Sequence, residues 1–380
     1  MPHVFGERDL ELLREVVESG QLCSMSGKMT ARFEKAFASR LNARHALACN
    51  SAMSGLHWAV AAAGVGPGAE VICDPIVHFA GFAAMYHNGV PVFADVDPRT
   101  HNMDPNSVRA RVTPRTKAII CTHLWGLPCD MDPIMEIARE HNLVVIEDCA
   151  HALFATYKGR CTGTLGHIGV FSFQQSKHLA TGDGGMIVTN DDRLLSAMRD
   201  GWKFGASAAT LAWNYRMSEL VAAVGLAQLA RAEEYVAETV ANARTYQAAL
   251  EGCDWIVPQP VAADSTHVYH IWVPLYYGDR RGIPLERFKA RAAEVGLACG
   301  FGYLQKPAYQ HRVFLEPVAY GRGCPTGCPL YDGDRGYRPG ACPNAEEILP
   351  RVMLFGTTVV PRESVEANAE RLRQLVREFS

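Results

Sequence analysis

The chain has 380 residues and a formal net charge of −3, with Lys+Arg 37 against Asp+Glu 40, so no basic surplus points to nucleic acid or to an anionic membrane. Its length exceeds a typical single core, which makes a large domain plus a smaller one the natural expectation. The charged start, Met1 to Asp9, lacks the apolar run of a signal peptide, and no apolar stretch approaches the roughly 20 residues that span a bilayer; a cytoplasmic protein with a small-molecule substrate is expected. The twelve cysteines, several of them inside apolar runs (Cys73, Cys121, Cys149), read as small buried hydrophobes and mostly free thiols.

The first informative segment is residues 48–60, where Asn50 and Ser51 open an apolar helix predicted over 51–64. Free N–H groups and the positive dipole end make such a helix start a phosphate site, to which Ser51 adds a hydroxyl; ordinary capping by Asn50 or Ser51 is the competing reading. Short apolar runs at 70–73, 92–96, 118–122, 143–148, 170–173 and 185–189 alternate with helices such as 131–141. They read as buried strands of a largely parallel α/β sheet.

The strand at 143–148 ends in Glu147 and Asp148, with His151 three residues on. Open α/β sheets bind ligands at the carboxyl ends of their strands, so Asp148 is placed to pair with a protonated ring nitrogen; helix capping is its alternative. The next strand leads through Phe171-Ser172-Phe173 to Lys177 and then into Gly182-Asp183-Gly184-Gly185. A lysine at a strand end in a crowded loop is desolvated, which lowers its pKa and frees the amine as a nucleophile, although a lone lysine is more often on the surface. Together, a nucleophilic lysine and a strand-end acid meet the needs of pyridoxal 5′-phosphate (PLP), whose ring acts as an electron sink while an acid keeps its nitrogen protonated.

Residues 218–250 form one long helical pattern, apolar nearly all round, which suggests packing between domains or subunits. Beyond Cys253 come a strand-like run at 267–276, a helix at 285–295 and a final amphipathic helix at 363–379. The stretch 301–342, rich in Gly, Pro, Tyr and Cys, has no period and reads as a long ordered loop. Cys324, Cys328 and Cys342 within it lack zinc-site spacing and a fourth ligand, so no metal is expected.

In order along the chain, the small-residue helix start, Glu147-Asp148-Cys149-Ala150-His151, the Phe171 to Gly185 segment and Asn214-Tyr215-Arg216-Met217-Ser218-Glu219-Leu220 resemble the DegT/DnrJ/StrS family of PLP-dependent sugar aminotransferases. The resemblance runs from about Ser26 to the C-terminus. It implies the α/β fold of fold type I PLP-dependent transferases. A mainly parallel central sheet would lie in a large domain (1–250, with an N-terminal arm), followed by a smaller α+β domain (251–380).

It further implies that Lys177 forms the Schiff base with PLP and then shuttles protons, that Asp148 pairs with the pyridine nitrogen, and that His151 lies beside the phenolic oxygen. Phe79 matches the aromatic that stacks on the ring. Ser51, Ala52, Met53 and Ser172 match the phosphate site, and Asn214 matches a residue reaching the phosphate in the neighbouring subunit, which implies a homodimer with shared sites. Two departures stand out: Ser51-Ala52-Met53 replaces a small-Gly-Thr sequence, and Asp183 replaces a glutamate. The implied reaction moves an amino group from glutamate or glutamine to a keto-sugar or keto-cyclitol, nucleotide-linked or aminoglycoside-type, in secondary metabolism. A PLP-dependent lyase or dehydrating synthase and a catalytically silent PLP-binding regulator are the alternatives. Candidate acceptor contacts are Trp125, Trp202, Lys203, His267, Tyr269 and Tyr303.

Overall fold

A computed structural model describes residues 3–202, 212–316, 319–320 and 323–379, with the side chains of 200–202 excepted. Lys203 therefore lies outside the described residues, as does the Trp202 side chain. The chain opens with helices α1 (Glu7–Ser19) and α2 (Met29–Leu41), then β1 (His45–Cys49) and α3 (Ala52–Ala62). Next come β2 (Glu70–Cys73), α4 (Phe79–Tyr86), β3 (Val90–Phe93), α5 (Pro105–Arg111), β4 (Thr116–Thr122), α6 (Met131–His141) and β5 (Val144–Asp148). A hairpin of β6 (Thr156–Tyr157) and β7 (Arg160–Cys161) precedes β8 (Ile168–Ser172) and β9 (Gly185–Thr189). Helices α7 (Asp192–Trp202), α8 (Glu219–Leu229) and α9 (Ala232–Ala248) follow.

Seven strands form the central sheet in the order β1-β9-β8-β5-β4-β2-β3. Strand β9 runs antiparallel to both neighbours, and the pairings from β8 through β5, β4 and β2 to β3 are parallel. The Val- and Ile-rich runs fit strands covered on both faces. Helix α3 lies close on the sheet at Gly55, where an added Cβ would fall 2.8 Å from a Val170 methyl. Strand β1 was not among the predicted strands, because His45-Ala46-Leu47-Ala48-Cys49 has no β-branched residue to mark it.

The helical pattern of 218–250 is two helices, with the break at Ala230 and Arg231. Helix α8 packs against α1 and α2 of its own chain, which cover part of its apolar circumference, while Leu220, Val221, Val224 and Leu226 stay half-buried. Its first residue, Glu219, is buried and accepts hydrogen bonds from the backbone N–H groups of Met29 (2.5 Å) and Thr30 (3.0 Å), an acid seated on the start of α2.

The expected strand at 267–276 is broken into two short pieces, Ile271–Trp272 and Leu275–Tyr276, which pair with different partners. Helices Leu285–Glu294 and Arg362–Phe379 complete the C-terminal part. Apolar packing crosses residue 250 both ways: Ala243, Tyr246 and Leu250 join the C-terminal core, while Tyr309, Phe314 and Cys342 join the core under the sheet. The stretch 301–342 carries short turns of helix at Ala308–Gln310 and Arg312–Leu315 and is anchored by Phe314, whose ring lies 5.3 Å from that of Phe93. Among the described residues no helix is long and apolar enough to cross a membrane.

Candidate active site

A cavity of about 330 Å³ opens at the carboxyl ends of β4, β5 and β8, where an open parallel sheet leaves room for a ligand. Its wall includes Ser51, Ala52 and Met53 at the start of α3, Phe79 at the start of α4, Asp148 and His151 after β5, Ser172 at the end of β8, Lys177 in the loop beyond, and Tyr303. The sequence candidates thus converge from segments far apart in the chain.

Each has a local reason for its place. Ser51 is the extended residue that caps α3, its hydroxyl accepting from the Ser54 amide at 3.2 Å, and the Ser54 hydroxyl donates to Asn50 at 2.6 Å. Gly185 lies directly beneath: a Cβ there would sit 2.8 Å from the Ala52 nitrogen, so only glycine lets β9 approach the helix start. Phe79 is 38% exposed on the cavity wall, its ring 4.5 Å from that of His78 instead of joining the core.

Successive residues of a strand face opposite sides of the sheet, and this sorts the two acids of β5. Asp148 turns into the cavity and accepts from the Ala150 amide at 3.0 Å. Burial raises its pKa, opposed by that hydrogen bond and by the charges of Lys177 and His123. Glu147 turns away and accepts from the amides of Gly163 (2.8 Å), Leu165 (2.8 Å) and Gly166 (2.6 Å) and from His123 (2.9 Å). Glu147, His123 and Cys149 hold ligand-type atoms within 4.8 Å of one another, but both Glu147 oxygens and both His123 nitrogens are already hydrogen-bonded, which makes the trio structural.

Desolvation brings the Lys177 amine down to about 8, with Asp148 pulling the other way, so about a tenth of it is the free base at pH 7, far more than for an ordinary lysine. Its Nζ lies 3.4 Å from Nε2 of His270, a residue the sequence reading did not single out. His151 is stacked between Trp125 (5.8 Å) and His270 (4.5 Å), and its Nδ1 is buried without a hydrogen-bond partner. Asp74, behind the cavity wall, accepts from the hydroxyl of Thr122 at 2.7 Å and is raised by burial to about 6.

Three of the proposed acceptor contacts lie elsewhere. Trp125 is fully buried, gives its indole N–H to His101 at 3.2 Å, and backs His151 and Tyr303 instead of facing the cavity. His267 and Tyr269 stack on each other at 3.7 Å, with His267 bonded to Gln259 and the Tyr269 hydroxyl to Gln247; they are packing residues. Gln174, Ser176 and Asp183 line the cavity instead, on the lysine loop itself. Asn214 is exposed and is not part of its own chain's cavity wall, on a segment fastened to the end of β1 by Asn50 N–H donating to Tyr215 O at 2.8 Å.

The sequence profile of the DegT/DnrJ/EryC1/StrS aminotransferase family matches residues 4–360. The chain belongs to this family. It is an aminotransferase, and its fold is fold type I of the PLP-dependent enzymes. Within the family it is 43% identical over 274 residues to the GDP-perosamine synthase of Caulobacter vibrioides, covering 70% of this chain and 73% of that protein. It is also 34% identical over 370 residues to the spore coat polysaccharide biosynthesis protein SpsC of Bacillus subtilis, covering 92% and 89% respectively. Among solved structures, DesI in the presence of its TDP-sugar product superposes with a TM-score of 0.85 at 27% identity, covering 99% of this chain and 91% of that one.

Proposed function

We propose that the cavity holds PLP and that the enzyme moves an amino group from glutamate or glutamine onto the keto group of a nucleoside-diphosphate-linked hexose. The convergence of Lys177, Asp148, Phe79 and the α3 start on one cavity carries this reading. The donor set fits the cofactor: the start of α3 at Ala52 and Met53 with the hydroxyls of Ser51 and Ser172 for a phosphate, an exposed aromatic face for a ring, a buried carboxylate for a ring nitrogen, and the orphaned nitrogen of His151 for a phenolic oxygen. When bound, PLP supplies an electron sink that acidifies the α-C–H of an amino acid joined to it.

The residues then have distinct tasks. Asp148, desolvated and anionic opposite a cation, keeps a ring nitrogen protonated. Lys177 is both the covalent anchor and, once released, a free base close enough to neutrality to take a proton and return it. Tyr303, Gln174 and Ser176 are the described side chains best placed to meet the acceptor's hydroxyl groups. A nucleotide-linked sugar is favoured by the names of two relatives, a GDP-perosamine synthase and an enzyme held with a TDP-sugar product. Asn214, exposed and outside its own cavity wall, is assigned to the partner subunit's cofactor phosphate in a homodimer, a reading supported by the exposed Leu10, Leu22, Met25 and Tyr86.

The test is spectroscopic. Protein reconstituted with PLP is expected to show the absorbance of the lysine-bound cofactor, to lose it on addition of glutamate or glutamine, and to regain it with a nucleoside-diphosphate keto-hexose. Absorbance indifferent to both amino donors overturns the reading.

A further inference from the structure

His270 reaches the cavity through two of its wall residues, Lys177 and His151. It is 5% exposed, lies just ahead of the strand Ile271–Trp272, and is not part of the cavity wall. Its backbone is tied down: the Thr357 hydroxyl donates to the Tyr269 carbonyl at 2.5 Å and the Thr358 hydroxyl to that of His270 at 2.8 Å. The ring is sandwiched against His151 at 4.5 Å with an interplanar angle of 20°. Nε2 faces the lysine amine at 3.4 Å, and Nδ1 is buried with no partner.

A neutral imidazole carries one N–H. If the proton were on Nδ1, a buried donor would be left without an acceptor, among the rarest and most costly arrangements in folded proteins. With the proton on Nε2, the orphan is a lone pair, and the N–H points at Nζ. An amine can accept that hydrogen bond only as the free base. We propose that His270 is a positioning residue for Lys177, whose Nε2–H donates to the Nζ lone pair and so favours the uncharged lysine over the ammonium and aims it into the cavity when it is not bonded to the cofactor.

The inference rests on the reading of Lys177 as the cofactor's lysine for its purpose, but not for its test, which needs no cofactor. Around the pair stand Asp148 from β5, His151 from the turn after it, His178 from the lysine loop, and the His3 ring against the backbone of that loop. Burial and the nearby Lys177 charge push the pKa of His270 well down, which keeps it neutral. Of these groups, Asp148 opposes the free base and favours the ammonium. His178 is already engaged, its ring nitrogen lying 3.0 Å from the Val268 carbonyl, so the donor to Nζ is His270.

The experiment is competitive acylation of the cofactor-free protein across pH, reading the titration of Lys177 by mass spectrometry. The wild-type amine is expected to titrate near 8. His270→Asn, which cannot reach Nζ, and His270→Gln, whose carbonyl can turn to an ammonium, should each raise that midpoint by roughly one pH unit, the worth of one hydrogen bond made to a single protonation state. His178→Asn should move it far less. An unchanged or lowered midpoint in folded His270 variants, or an equal shift in His178→Asn, overturns the proposal. Independently of any variant's folding, the ¹⁵N shifts of His270 in the unsubstituted apo-protein should show the proton on Nε2; a proton on Nδ1 is the contrary result.

Discussion

Glu147 and Asp148 are adjacent acids with opposite fates, and their difference can be measured. Glu147→Gln replaces an oxygen that meets N–H donors with an amide that repels them, in a fully buried place, and should destabilise the apo-protein by about 3 kcal/mol. Asp148→Asn removes a desolvated charge that makes one backbone hydrogen bond, and should leave stability nearly unchanged while weakening cofactor binding. Urea unfolding of the two variants tests the contrast; equal losses would refute it. At this scale the sequence was readable where residue type and chain position coincide, as at Lys177, Asp148 and Phe79. It was unreadable where a partner comes from far away: His270 lies 93 residues from Lys177, and nothing local distinguishes it from His267, a packing residue three positions earlier.

Helix α3 illustrates how an element both stabilises the fold and presents a site. Ser51→Ala removes the cap and should cost about 1 kcal/mol of stability. Because the same hydroxyl belongs to the proposed phosphate site, the thermal shift produced by saturating PLP should also shrink. Thermal unfolding with and without cofactor checks both, and an unchanged PLP shift would remove Ser51 from that site. Most strands of the parallel part were legible because burial on both faces makes them continuous apolar runs, but the edge strand expected at 92–96 runs from Val90 to Phe93. Two features were not legible. The alanine-rich β1 lacks β-branched residues, and the break between α8 and α9 falls at Ala230 and Arg231, which carry no helix-stop signal.

Across the whole molecule, buried histidines set the response to acid. Burial lowers His57 and His178 to about 4 and His101 and His267 to about 3, so each stays neutral in the fold while the unfolded chain takes up a proton below about 6.5. Their contribution is fully present above that value and falls by about 1.4 kcal/mol per group for each pH unit toward the folded-state value. Asp74 and Glu34, raised by burial to about 6 and about 7, act in the opposite sense as pH falls, but they are fewer. The urea midpoint of the apo-protein should therefore drop steadily from pH 6.5 to 4.5; a flat or rising profile would contradict this balance. The sheet's connectivity also orders events in time. Lys177 hangs on the hairpin of β8 and β9, strands that are neighbours in sequence, whereas the start of α3 is held by β1, whose His45 pairs with Thr189 across most of the sheet's sequence. Short loops close early and long ones late. A refolding chain would thus display the proposed nucleophile before it owns the proposed phosphate cradle, and, on that reading, the appearance of cofactor colour would mark the arrival of the first strand.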